Sequence, residues 1–304
     1  MWSSIISVFI PVLLMILGMG LAVFIAYFWK RKQNLNQRQS PLTQDLMRPP
    51  GYSLQLKVNE LNDDISISII FFLLTPLVFY SLHLSQSYFG GVSESFFRTI
   101  FMLIIGVGTI TLLGRRLGKV LNERKNNALG LQGEMFTGEE LNQLMLNGCR
   151  VFHDIQFQYG NIDHVVVSPS GVYSIETKMR QKPKEGKGKA DVIVDHQNNT
   201  LRFSDHSEVI DIDQLETEGR WLSQYLTSAV GIQIPVRPVL SLPGWFVKQN
   251  NRRGSFSVLN PKNSKWFFVN NQVELTSKEI QQVAHQLEQL CRNVEPVFRD
   301  KKSK

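Results

Sequence analysis

The sequence predicts a membrane-anchored α/β protein: about three transmembrane helices, then a soluble domain of mixed helix and strand. Two observations carry this. Long apolar runs with almost no charge crowd the first 114 residues. After Arg116 the pattern changes to short apolar stretches, some alternating and some helical, separated by turn signals. A mean hydropathy of −0.11 excludes a chain that is membrane throughout. Two cysteines, Cys149 and Cys291, exclude a disulfide scaffold and a four-cysteine zinc site. The net charge of +7 suits nucleic acid or an anionic membrane surface and does not choose between them.

Each apolar run is long enough to matter. Trp2 to Trp29 holds no charged residue over 28 positions, against roughly 20 needed to span a bilayer as a helix. Its basic cluster, Lys30 to Lys32, follows the run, whereas a cleaved signal peptide carries its basic residues in front. A second run covers Ile65–Leu84 around Pro76, and a third covers Phe96–Gly114 with Arg98 near its start. Transmembrane helices are therefore placed at about 4–29, 65–84 and 96–114. Six basic residues lie between the first two runs, none in 85–95, and five between Arg115 and Lys125. The positive-inside rule then puts the N-terminus outside and everything after residue 115 in the cytoplasm.

The soluble part reads as follows. Residues 134–146 form a helix, with positions 134, 138, 141 and 145 on one stripe facing the sheet. Residues 151–157, 162–167 and 172–178 form strands, the last two joined at Ser168-Pro169-Ser170-Gly171. A basic, Gly-rich loop covers 180–190, and 192–194 with 201–203 form a second hairpin. Residues 213–226 are helical, 236–242, 256–259 and 266–269 are strands, and 278–291 form an amphipathic helix capped by Ser277. Trp245 and Trp266 are read as packing residues, and His164 as a packed histidine.

Strand alternation places Ser174, Glu176 and Lys178 on one face and Tyr173, Ile175 and Thr177 on the other. With Pro169-Ser170 as a two-residue loop, Asp163 falls opposite Glu176, about 4.5–5.5 Å away between Cβ atoms. A type I turn with a bulge at Gly171 shifts that register by one, so adjacency of the two acids is the firm reading. Two facing carboxylates repel, and a divalent cation resolves the repulsion. Glu134 opens the first helix on its core side, where a carboxylate is costly unless paired or bound to metal.

These residues carry a resemblance. Gly130-x-x-Gly133-Glu134, then Asn161-Ile162-Asp163-His164-Val165-Val166-Val167, then Gly171 through Lys178 with its Ile175-Glu176-Thr177-Lys178, look like the nuclease-related domain (NERD) family. The helix starting at Gln214 and the stretch Pro235–Leu240 resemble that family's following segments. The family in turn resembles the PD-(D/E)xK nucleases, although no proline precedes Asp163 here. The resemblance implies a restriction-endonuclease-like α-β-β-β-α-β core. It implies catalytic roles for Glu134, Asp163, Glu176, Lys178 and Gln214. Asp163, Glu176 and Glu134 would serve Mg²⁺ or Mn²⁺.

The implied activity is metal-dependent hydrolysis of phosphodiester bonds in nucleic acid, DNA first. Arg180, Lys182, Lys184, Lys187 and Lys189 follow directly as candidate phosphate contacts. The organisation expected is a membrane region and linker over 1–127, the nuclease-like domain over 128–245, and a C-terminal β/α extension over 246–304 packed on it. Resemblance and charge pattern together imply a multi-pass protein of the inner (plasma) membrane. The alternative is a non-catalytic nucleic-acid-binding or protein-interaction module tethered at the membrane.

Overall fold

The computed structural model describes residues 13, 17–18, 20–32, 40–88, 96–186, 188–249, 254–269 and 272–296. The chain divides into two compact units: Met1–Pro41, Val58–Lys125 and Phe298–Lys304 in one, Leu42–Lys57 and Asn126–Val297 in the other.

In the first unit, residues 20–32 are helical and exposed. Apart from these and residues 13 and 17–18, the expected first span lies outside the described residues. Helices α1 (Tyr52–Tyr88) and α2 (Phe96–Asn142) contain the second and third apolar runs. Among the described residues two helices are long and apolar enough to cross a membrane, and the protein buries 0% and 6% of their apolar windows. Where α1 and α2 meet, a Cβ at Gly106 would lie 3.6 Å from the Phe79 ring and one at Gly114 would lie 3.7 Å from Phe72.

The second unit is a mixed α/β fold. Its main sheet has the order β10-β8-β4-β3-β2. Strands β2 (Arg150–Phe157), β3 (Gly160–Ser168) and β4 (Gly171–Thr177) form an antiparallel meander. Strands β8 (Val236–Ser241) and β10 (Ser257–Leu259) continue it in parallel. Ser168 pairs with Gly171, so Pro169-Ser170 is a two-residue loop, and the register runs on to His164 opposite Ile175. Gly171 has φ +126°, a conformation that glycine adopts without the steric penalty of a side chain. A smaller sheet, β7-β6-β5-β9, is formed by β5 (Asp191–Asp195), β6 (Thr200–Arg202), β7 (Ser207–Val209) and β9 (Phe246–Gln249).

Alternation sorts the main sheet into two cores. On one face Val165, Val167 and Val172 meet Leu222 and Leu226 of α3 (Ile212–Val230), and Val283 and Leu287 of the C-terminal helix. On the other, Val166, Tyr173 and Ile175 meet Leu141 and Leu144, together with Phe268. Each such aliphatic side chain contributes about 1.5–3 kcal/mol by leaving water.

The structure corrects several expectations. The expected helix over 134–146 has no start of its own. With no proline or cap to interrupt it, α2 continues from the apolar run to Asn142. Glu134 therefore lies inside a helix. A 3₁₀ turn over Gln143–Asn147 then rotates Met145 off the stripe, leaving it 43% exposed. The aromatic stretch Trp266–Val269 is not a strand but part of a short helix, α4 (Lys265–Val269), which inserts Phe268 into the core. The C-terminal helix α5 (Ser277–Cys291) is capped by Thr276 rather than Ser277. Thr276 Oγ1 accepts from the Glu279 N–H while Glu279 reaches back to the Thr276 N–H.

One segment joins the second unit from far upstream. Strand β1 (Leu46–Met47) pairs with β11 (Arg292–Val294). Next to it, Arg48 Nη1 donates to Asp154 Oδ2 at 2.6 Å, its Nε to Asn293 Oδ1 at 2.7 Å, and its backbone N–H to the Cys291 carbonyl. Residues 42–57 are thus part of the fold that holds 126–297.

Candidate active site

Three elements bring acids to one end of the main sheet. Asp163 lies on β3 one residue beyond the last His164–Ile175 pair, and Glu176 lies near the end of β4. Where the ladder stops, Asp163 Oδ2 takes over and accepts the Thr177 N–H at 2.8 Å. Glu134 comes from α2. The approach is allowed by Gly133, where a Cβ would lie 2.6 Å from Met179 Cβ and 3.5 Å from Thr177 Cγ2. This gives the Gly133-Glu134 pair a physical meaning: the glycine lets the helix touch the strand end, and the next residue delivers the carboxylate.

Asp163, Glu176 and Glu134 are all buried, at 6%, 7% and 6% exposure. Together they line an open cleft of about 670 Å³ with Ser53, Leu54, Thr177, Arg180 and Gln214. Burial, then the charges of Glu176 and Glu134, push Asp163 well above the usual carboxylate range; the Thr177 N–H opposes this. Burial, then Asp154 and Glu176, raise Glu134 to about 8. Glu134 Oε2 is enclosed with no hydrogen-bond partner. Lys178 Nζ donates to Glu176 Oε1 at 2.8 Å. Burial works against the Lys178 charge, but Glu176 and Asp163 together outweigh it and the pKa is raised.

A fourth acid, Glu218 on α3, was missed in the sequence. It is 2% exposed and sits on the apolar stripe with Leu215, Leu222 and Leu226. A charged residue on the buried face of an amphipathic helix was the available signal. Gln214 Nε2 donates to Glu218 Oε1 at 2.8 Å, so Gln214 reaches the site through Glu218 as well as lining the cleft. Burial, then the Glu176 charge, raise Glu218 to about 8.

The basic loop divides. Arg180 lines the cleft but its guanidinium is held by both oxygens of Glu208. Lys182 places its ammonium 5.6 Å from the centre of the Trp245 ring. Lys184 is exposed, and Lys189 Nζ donates to the Lys184 carbonyl at 3.0 Å. Lys187 lies outside the described residues. Trp245 is fully buried, whereas Trp266 is 62% exposed, against the expectation that it packs.

His164 is fully buried on the opposite face from Asp163, its Nδ1 2.9 Å from that of His153. Burial lowers His153 to about 4, and burial with the neighbouring His153 ring lowers His164 well below its usual range. Two neutral rings can share one proton between the facing nitrogens, so this pair is a structural contact.

Among the described residues, no three His, Cys, Asp or Glu side chains converge closely enough to hold one ion as they stand. The fit to a divalent cation rests instead on charge and desolvation. Four buried acids face one Lys178, and both Glu134 and Glu218 keep an oxygen without a partner. A hard cation such as Mg²⁺ needs only one or two carboxylates when water and phosphate oxygens complete its shell.

The unit is therefore a mixed α/β domain with an acid-lined cleft at the end of its central sheet. Residues 129–243 match the family model of the nuclease-related domain, NERD, and this segment is similar to nucleases in that sense. Searches of curated proteins and of solved structures returned no match to the chain.

Proposed function

We propose that the protein is a membrane-anchored, cytoplasm-facing nuclease that hydrolyses phosphodiester bonds, with DNA as its first substrate. The observation that carries the reading is the set of buried carboxylates, Asp163, Glu176 and Glu134, that line one cleft inside the NERD-matching segment, with Glu134 Oε2 left without a hydrogen-bond partner. The anchor is the apolar, uncovered surface of α1 and α2, together with the uncharged run of the sequence over about 4–29. The charge of the intervening loops favours an N-terminus outside and the domain inside, in the inner (plasma) membrane. The NERD-like core of 128–245 is flanked by the 246–304 extension.

In this reading Asp163 and Glu176 hold Mg²⁺ or Mn²⁺, with Glu134 assisting. The cation supplies Lewis-acid polarisation of the phosphate and a more acidic water. Lys178 stays charged beside Glu176 and offers a fixed positive group where negative charge grows on the phosphate. The Thr177 N–H fixes the Asp163 carboxylate in place. Lys184 and Lys189, together with Lys182 and Lys187, attract the polyanionic backbone, while the Glu208 pairing holds Arg180 at the cleft.

The test uses the full chain in detergent, incubated with linear, circular and single-stranded DNA and with RNA, in Mg²⁺, Mn²⁺ or EDTA. Metal-dependent cleavage lost in Glu176→Gln and Lys178→Ala supports the reading. Salt-dependent binding without cleavage replaces it with a tethering module. Neither binding nor cleavage, from a folded protein, removes nucleic acid as the target.

A further inference from the structure

Among the described basic residues of the loop after β4, Arg180 lines the cleft that holds Asp163, Glu176 and Glu134, and the lysines do not. Its main chain is fixed. The Lys178 N–H donates to the Ser241 carbonyl at 2.9 Å, and the buried Trp245 donates from Nε1 to the Arg180 carbonyl at 3.3 Å. Met179, between them, lies against Gly133 of α2.

The guanidinium is fixed as well. Nε donates to Glu208 Oε2 at 2.7 Å, Nη2 to Glu208 Oε1, and Nη1 to the Met179 carbonyl at 3.1 Å. A guanidinium carries five N–H groups in one plane. Three are engaged here, so among the described residues one on Nη1 and one on Nη2 have no partner. Glu208 reaches Arg180 from β7 on the smaller sheet, 28 positions along the chain. A carboxylate on the guanidinium weakens its general attraction for a polyanion. What the pairing supplies is direction: one edge is gripped, and the remaining N–H groups are held as a rigid fork that matches phosphate oxygens.

We propose that Arg180 is the phosphate-gripping residue of this cleft, and that Glu208 is its positioning residue, turning the guanidinium so that its free N–H groups meet a backbone phosphate of nucleic acid beside the acids. The choice of ligand rests on the nuclease reading, but the test needs neither turnover nor metal. A fluorescent single-stranded oligodeoxynucleotide is titrated into the full chain in detergent with EDTA. The proteins compared are the parent, Arg180→Ala, Arg180→Lys, Glu208→Ala, Glu208→Gln and the double alanine variant. A thermal midpoint for each shows that it is folded.

Arg180→Ala is expected to weaken binding about tenfold. Arg180→Lys keeps the charge without the fork and should lose nearly as much. Glu208→Ala removes a negative charge beside a polyanion, so general electrostatics gives tighter binding, whereas a positioning role gives weaker binding. Glu208→Gln keeps one acceptor in the same volume and should lose less than the alanine variant while still binding more weakly than the parent. If Glu208→Ala does not fold, the direction of change in Glu208→Gln decides. The double variant should bind no more weakly than Arg180→Ala, because Glu208 acts through Arg180. Unchanged or tighter binding in the Glu208 variants, full affinity in Arg180→Lys, or no binding by the parent would overturn the proposal. A parent that binds through this pair yet cuts nothing when Mg²⁺ is supplied supports this inference and removes the nuclease reading. A parent that cuts, with Glu208→Ala binding as tightly as the parent, does the reverse.

Discussion

Asp154 on β2 and Asp163 on β3 lie between the pairs His153–His164 and Ile155–Ile162. Both are buried aspartates, at 0% and 6% exposure. Their surroundings could hardly differ more. Asp154 takes Arg48 Nη1 at 2.6 Å, Ser53 N–H at 3.1 Å, Ser53 Oγ at 2.9 Å and Asn161 Nδ2 at 2.8 Å. Asp163 has one backbone N–H from Thr177 and the repulsion of Glu176, Glu134 and Glu218. The same residue type on neighbouring strands does two jobs. A carboxylate surrounded by donors ties the fold together, whereas one surrounded by acids is left available to bind something.

The comparison breaks first at Arg48. Arg48→Met strips Asp154 of its cation and is expected to cost about 3–5 kcal/mol, read from a denaturation midpoint. A chain beginning at residue 126 lacks Arg48 and Ser53 together and is expected not to fold. An unchanged midpoint in Arg48→Met would remove the structural role given to Asp154.

Gly133→Ala comes next. Its new Cβ would lie 2.6 Å from Met179 Cβ, so α2 or the strand end must move. The expected loss is about 1–3 kcal/mol of stability, with cleavage falling further because Glu134 is displaced. Asp163→Asn should act in the opposite direction on the fold. It keeps an acceptor for Thr177 and removes a repelling charge, so stability should rise by about 0.5–2 kcal/mol while activity disappears.

The acid site also sets a pH dependence. Glu134 and Glu218 are raised from 4.5 to about 8 by burial first and by neighbouring acids next, with Lys178 opposing in both. The folded protein then holds protons that the unfolded chain has released. Their contribution is full below about pH 4.5 and is lost as pH rises towards 8. Metal-free thermal midpoints should fall across that window, and Glu134→Gln should flatten the fall. The smallest effect is at the loop. Lys184→Ala and Lys189→Ala should change stability by less than about 0.5 kcal/mol. Each should lower DNA affinity and reduce the salt slope by about 1.

What the sequence made legible was local. Alternation and the Ser168-Pro169-Ser170-Gly171 turn gave the meander and the two-residue loop, because both are written within a few positions. The same alternation put Asp163 beside Glu176. Long-range partners were not legible. Arg48 reads as one more basic residue until the fold brings it to Asp154 across 106 positions. The Trp266–Val269 stretch has aromatic, strand-like composition, and burial of Phe268 against Tyr173 decides for helix. Glu218 was visible only as an acid on an apolar stripe, a signal that gains weight once Gln214 is seen to hold it.

The most direct measurement compares Asp154→Asn with Asp163→Asn in the full chain, taking thermal midpoint and Mg²⁺-dependent DNA cleavage from the same preparations. Asp154→Asn is expected to lower the midpoint markedly, while Asp163→Asn keeps or raises it and abolishes cleavage. The contradicting result is an Asp163→Asn protein destabilised as much as Asp154→Asn that still cleaves DNA as the parent does.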